Sequence, residues 1–169
     1  MKSAEFWIGL LGLAPHPEGG WFREIYRSAV RVPESALPPS FWGDRAFSTS
    51  IFFLLKGGEF SAIHRLKTDE IWHFYEGSPL TLHLISPDGA NSRFHLGPDA
   101  AAGQVFQAII PAGTWFGARA EDDANHSLVG CTMSPGFESE DLELAQREDL
   151  LDLFPAHRGI IIRLTKPSL

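Results

Sequence analysis

The chain has 169 residues, 44% hydrophobic and 21% charged, about one domain's length with enough apolar side chain for a full core, which excludes disorder, collagen-like repeats and a coiled coil. Fourteen Lys and Arg against twenty-one Asp and Glu leave a net charge of −7, a surface that repels phosphate backbones and anionic membranes, so neither nucleic acid nor membrane is expected as a partner. The lone Cys131 can form no intrachain disulfide and belongs to no cysteine metal pair, a usage expected of a cytoplasmic protein.

The first apolar stretch, Phe6 to Ala14, contains Gly9 and Gly12 and is too short to span a membrane. It reads as a short helix. Trp21 to Ser28 reads as an extended segment, and Val30 to Asp44, with three prolines, as a surface loop. Phe47 to Leu55 and Glu59 to Leu66 read as strands joined by the Lys56-Gly57-Gly58 turn, which predicts a hairpin. Further strands are expected at Glu70 to Tyr75, Pro79 to Ile85, Ser92 to Leu96, Gln104 to Ile110, Thr114 to Arg119 and His126 to Met133. The apolar spacing from Leu142 to Phe154 predicts a helix before Pro155, and Gly159 to Leu164 a last strand. About eight strands at this spacing must cover an apolar face and hide their edges. The expected architecture is therefore all-β, a single jelly-roll domain over residues 1–169 with short flanking helices. An edge such as Trp21 to Ser28 could pair with a second copy, which predicts a homodimer.

The densest chemistry lies between Gly58 and Gly77: Gly58, five residues, His64-Arg65-Leu66, three residues, Glu70, six residues, Gly77. This spacing resembles the first signature of the cupin superfamily, with Leu66 where that signature has its second histidine. Pro111-Ala-Gly-Thr-Trp-Phe116 resembles the core of the second signature, with Phe116 in the place of its histidine and Ala120 in the place of its asparagine. The blocks Pro17-Glu-Gly-Gly-Trp-Phe-Arg-Glu-Ile-Tyr-Arg-Ser28, Asp69-Glu-Ile-Trp-His-Phe-Tyr75 and Leu128-Val-Gly-Cys-Thr-Met-Ser-Pro-Gly-Phe137 are similar to a cupin branch catalogued as a domain of unknown function. The resemblance implies a jelly-roll barrel with a central pocket.

Strand alternation puts Phe60, Ala62, His64 and Leu66 on one face, and Glu70, Trp72 and Phe74 on one face. With both faces inward, His64 and Glu70 meet in an aromatic cavity walled by Phe60, Trp72, Phe74, Trp115 and Phe116, the composition of a small-molecule pocket. Burial and mutual attraction would hold a proton on this pair near neutral pH, which suits acid and base chemistry. Cupin epimerases that work without metal use a histidine base and a tyrosine acid. By that resemblance His64 is the expected base, Glu70 its partner or the acid, and Tyr26 a second acid. Arg23 or Arg27 would clamp an anionic group, unless their block is simply a solvated edge strand.

The cupin metal reading is weakened because two of four expected ligands are Leu66 and Phe116, leaving His64 and Glu70, with Gln107, His126 or His73 as replacements. The sequence thus predicts a small-molecule cupin with no expected cofactor, an isomerase or epimerase acting on a sugar-like or nucleotide-sugar metabolite. The alternatives are a ligand-binding cupin without chemistry, and an enzyme that holds a divalent metal through unusual ligands.

Overall fold

Ser3 opens the first helix by accepting a hydrogen bond from the Phe6 amide, and Gly12 closes it in the left-handed conformation that glycine adopts without strain. The computed structural model describes residues 2–166. After α1 (Ala4–Leu11) come β1 (Ala14–Pro15), β2 (Trp21–Arg27), β3 (Arg31–Val32), β4 (Arg45–Ala46), β5 (Thr49–Lys56), β6 (Phe60–Leu66), β7 (Glu70–Gly77), β8 (Leu80–Ile85) and β9 (Asn91–Leu96). The order continues with β10 (Gln107–Ile110), β11 (Trp115–Ala120), β12 (His126–Met133), β13 (Leu142–Leu144), α2 (Arg147–Leu153) and α3 (Arg158–Leu164). No described helix is long and apolar enough to cross a membrane.

Two sheets face each other. One runs β1-β2-β5-β12-β7-β10 and the other β13-β6-β11-β8-β9, while β3 and β4 form a separate ribbon. Between the sheets lies a core that includes Phe53, Leu55, Leu66, Trp72, Leu82, Phe116, Val129 and Met133. Burying these apolar faces is the main force holding the sheets together. Outside the five-stranded sheet, α2 and α3 bury Leu150, Ile161 and Leu164 against Ile63, Ile85 and Trp115. At one end of the six-stranded sheet, α1 packs with Leu13 over Leu54 and Leu128.

Several elements differ from expectation. The Lys56-Gly57-Gly58 turn does not close a hairpin: both edges of β5 are taken by β2 and β12, so the chain crosses to the other sheet, where β6 pairs with β11 and β13. Leu142–Leu144 is a strand, and the helix begins at Arg147. Gly159 to Leu164 is helical. Its two buried side chains, Ile161 and Leu164, are three apart, a spacing that a helix puts on one face and a strand puts on opposite faces.

Candidate functional site

A cavity of about 160 Å³ opens within the barrel, lined by apolar side chains that include Phe22, Ile51, Phe53, Leu66, Trp72 and Met133. Its polar groups are His16, Glu18, Glu70, Glu24, Arg27, Thr49 and Cys131. Glu24 and Arg27 mark the end nearest solvent, with side chains 37% and 34% exposed. Four of the five N–H donors of Arg27 are engaged there. It donates to both Glu24 oxygens at 3.0 and 2.9 Å, to Glu138 Oε1 at 2.8 Å and to the Phe137 carbonyl at 3.0 Å.

The segment His16 to Gly20 enters the barrel as a tight turn. Gly19 and Gly20 have φ of 114° and 75°, and a Cβ on Gly19 would stand 2.3 Å from the Phe60 carbonyl oxygen. Only glycine permits that backbone and that approach. The Glu18 carbonyl accepts from the Ala62 amide at 2.9 Å, so the turn is fixed to β6. His16 packs edge-on against Phe22 and Phe53 at 4.5 and 5.8 Å between ring centroids.

Four titratable groups then share one buried region. Glu18 Oε1 lies 3.4 Å from His64 Nε2, and Glu18 Oε2 accepts from Ser61 Oγ at 3.1 Å. His64 Nδ1 donates to the Ala62 carbonyl at 2.7 Å, which leaves Nε2 as the acceptor of the neutral ring. His16 Nδ1 accepts from the Glu18 amide at 3.3 Å, which places the neutral ring's proton on Nε2. Glu70 Oε2 accepts from Trp72 Nε1 at 2.6 Å.

Loss of water dominates every proton affinity here. Burial pushes the Glu70 carboxyl up to about 7, against the pull of His64 and with the help of the nearby Glu18 charge. Glu18 is likewise raised by burial, opposed by His16 and the Ser61 hydroxyl. Burial lowers His64, opposed by Glu70, and lowers His16, opposed by Glu18. Burial thus favours the uncharged form of all four groups, the protonated carboxyl and the unprotonated imidazole. Cys131 stays a thiol, since burial and the two carboxylates raise it well above its ordinary value.

Of the residues singled out in the sequence, Glu70 and Trp72 line the cavity and His64 reaches it through Glu18. Phe116 stands opposite His64 on β11, with ring centroids 4.1 Å apart, and packs in the core behind the wall, as does Phe74. Leu66 and Arg27 also line the cavity, and the others lie elsewhere. A bulge in β6 between its pairings with Phe116 and Ala118 reverses the strand's phase, turning Ser61 inward and sending Phe60 to the cluster under the C-terminal helices, where Trp115 also lies. A second bulge, in β2 between Glu24 and Tyr26, brings Phe22, Glu24 and Arg27 to the cavity and leaves Tyr26 54% exposed and Arg23 off the lining. Gln107 is exposed beside His73, and His126 pairs with Glu76 at 2.9 Å away from the cavity.

His16, Glu18, Glu24 and Arg27 complete the lining. Only Arg27 figured among the expected residues. The signal for His16 and Glu18 was the Pro15-His-Pro-Glu-Gly-Gly20 string itself: two titratable residues in a turn that glycines permit to press against other backbone.

The sequence pattern of the cupin superfamily (DUF985) matches residues 5–145. The chain belongs to this family. It is 41% identical to protein SO0799 from Shewanella oneidensis, whose structure superposes with a TM-score of 0.88 over 99% of this chain and 100% of that one. It is 29% identical to the uncharacterized protein YML079W of Saccharomyces cerevisiae over 147 residues, 82% of this chain and 73% of that one. Oxalate decarboxylase from Bacillus subtilis, a protein with Mn(II) centres, shares the cupin fold at 15% identity and a TM-score of 0.55, over 91% of this chain and 37% of its own.

The donor set of this cupin does not fit such a metal centre. Leu66 and Phe116 offer no ligand atom, and His64 Nε2 faces Glu18. Among the described residues, no group of three or more His, Cys, Asp or Glu side chains is arranged to hold an ion. That falls short of the roughly three protein ligands of an open catalytic zinc site.

The raised Glu70 carboxyl links folding to pH. The folded chain holds this proton up to about pH 7, whereas the unfolded chain releases it near 4.5. Between those values the folded state binds more protons, so stability falls as pH rises through the window. In urea unfolding, Glu70→Gln should lose less stability between pH 5 and pH 8 than the parent, by up to roughly 3 kcal/mol. Equal losses in the two proteins would contradict a raised Glu70.

Proposed function

We propose that this cupin is a small-molecule isomerase or epimerase that moves a proton by general acid and base catalysis without a metal. The observation that supports the reading is a cavity-lining carboxyl, Glu70, held near neutral pH by burial and oriented by Trp72 beside a second His and Glu pair. A base whose pKa lies near the working pH combines a useful deprotonated fraction with strong proton affinity. Glu70 takes the proton from a carbon next to a carbonyl, and His16 Nε2–H donates to the oxygen on which negative charge develops. The proton then returns from Glu70 to the former carbonyl carbon, while His16 gives its Nε2 proton to the former carbonyl oxygen and takes the proton of the adjacent hydroxyl, so that carbonyl and hydroxyl exchange places. Glu18 and His64 act behind Glu70 and His16, and Tyr26 stands outside this chemistry.

Size and charge narrow the substrate. A volume of about 160 Å³ is close to the roughly 150 Å³ of an engineered cavity that holds benzene. It suits a monocyclic or short-chain molecule, and a whole nucleotide sugar is too large. The cationic side chain in the lining, Arg27, is committed to Glu24 and Glu138, and an anion inside would face Glu18 and Glu70. The substrate is therefore neutral, with an apolar body and a carbonyl or hydroxyl group. In the same reading the protein is a homodimer, supported by Tyr26, Tyr75 and Ile109 standing 54%, 48% and 58% exposed on strands of the six-stranded sheet; light scattering should return twice the 18.7 kDa chain mass, and a monomer mass would refute it.

Proton transfer is detected by NMR as deuterium uptake from solvent into small neutral hydroxy- and keto-compounds. The parent should catalyse uptake, with a rate that rises with pH through about 7 and is insensitive to chelator. Glu70→Gln should slow it by roughly a hundredfold or more, and Tyr26→Phe should not change it. A compound that raises the melting temperature but exchanges no proton would make this a binding protein and overturn the catalytic reading.

A further inference from the structure

The outward side of the five-stranded sheet carries a concentration of positive charge that the cavity does not use. His83 on β8 stands directly opposite Arg93 on β9 in the antiparallel register, and Gly117 of β11 stands opposite His83 on its other flank. Because Gly117 has no side chain, α3 packs close: a Cβ there would come within 3.2 Å of Leu164 Cδ1 and 2.9 Å of the Ser61 carbonyl oxygen. This brings Arg163 of α3 beside the row. A groove of about 500 Å³ results, lined by His83, Asn91, Ser92, Arg93, Arg163 and the Gly159-Ile160 turn of α3.

No Asp or Glu lines this groove, in a chain whose acidic residues outnumber its Lys and Arg by twenty-one to fourteen. Among the described residues, neither Arg93 nor Arg163 makes a side-chain hydrogen bond or ion pair, whereas neighbouring cations are neutralised: Arg119 by Asp123 and His95 by Glu121. Glu121 also accepts from Thr81 Oγ1 at 2.6 Å. Two guanidiniums and an imidazole held together repel one another, and cross-strand pairs of like charge weaken a sheet; Glu121 and Asp123, which line the adjoining pocket with His83 and Arg163, are engaged by His95 and Arg119. Burial and the positive charge of Arg163 and Arg93 both act against a proton on His83. An anion in the groove would reverse that cost.

We propose that this groove binds a phosphate group, with Arg93 and Arg163 gripping it from the strand and the helix and His83, Ser92 and Asn91 completing its hydrogen bonds. The planar donor fork of arginine matches a tetrahedral oxyanion, and a phosphate dianion offers enough acceptor oxygens for donors arriving from both sides. The free phosphate ion and the phosphomonoester of a small metabolite present the same group. The site is on the opposite side of the five-stranded sheet from the acid–base cavity, and its occupancy does not depend on the chemistry proposed there.

Inorganic phosphate and glycerol phosphate are each titrated into the protein at constant ionic strength, with chloride as the reference, and binding is followed by calorimetry and by NMR shifts of the His83 ring. Saturable binding that shifts His83 is expected. Tighter binding of glycerol phosphate would assign the site to a phosphorylated metabolite, and equal binding to phosphate itself. The exposed substitutions Arg93→Gln and Arg163→Gln together should weaken binding at least tenfold with the melting temperature unchanged or raised. Arg65→Gln, which removes a cation paired with Glu143 on another part of the surface, should leave it intact. Absence of saturation, no shift at His83, or an equal loss in Arg65→Gln would overturn the proposal.

Discussion

Four titratable side chains, Glu18, Glu70, His16 and His64, are gathered around a mostly apolar cavity with no free cation to balance the carboxylates. A buried carboxylate without a counter-ion costs several kcal/mol, and a buried imidazolium costs likewise. The proton is the remaining counter-charge. Each carboxyl therefore holds its proton more tightly and each imidazole more loosely than in water. In the proposed function this cost in stability is what gives the groups their reactivity, as at many active sites.

The fold holds this arrangement with few devices. Backbone hydrogen bonding fixes the Glu18 turn to β6, and the Ala62 carbonyl selects the His64 tautomer. Bulges in β6 and β2 select which side chains enter, turning Ser61 towards Glu18 and Arg27 towards the mouth. The mouth is anchored by a buried pair: Asp141 accepts from Arg45 Nε and Nη2 at 2.7 and 2.8 Å, just after the Phe137-Glu138 segment that Arg27 grips. A guanidinium that also donates to the carbonyls of Trp42 and Gly43 leaves this corner little freedom to shift.

Strand alternation and turn residues were enough to locate most strands, because buried sheets write their period directly into the sequence, as in Leu80–Ile85 and His126–Met133. The cupin spacing likewise pointed to His64 and Glu70. Errors gathered where tertiary structure overrides local pattern. A bulge changes strand phase without changing composition, which hid the outward turn of Phe60 and the exposure of Tyr26. The β-branched Ile160-Ile161-Ile162 run has strand propensity, but packing against the sheet made it a helix. His16 and Glu18 come from a turn, where no periodicity reports direction, and only their meeting with β6 reveals what they do.

Titrating the buried carboxyls is the most direct measurement, by isotope-edited infrared or carbon NMR of glutamate-labelled protein, with Glu70→Gln to assign the signal. A Glu70 transition at about pH 7 is predicted, with Glu18 also protonated above the ordinary carboxylate range. Transitions of both groups near 4.5 would mean that the cavity is wet and its carboxylates ordinary, and the acid–base account would fail with them.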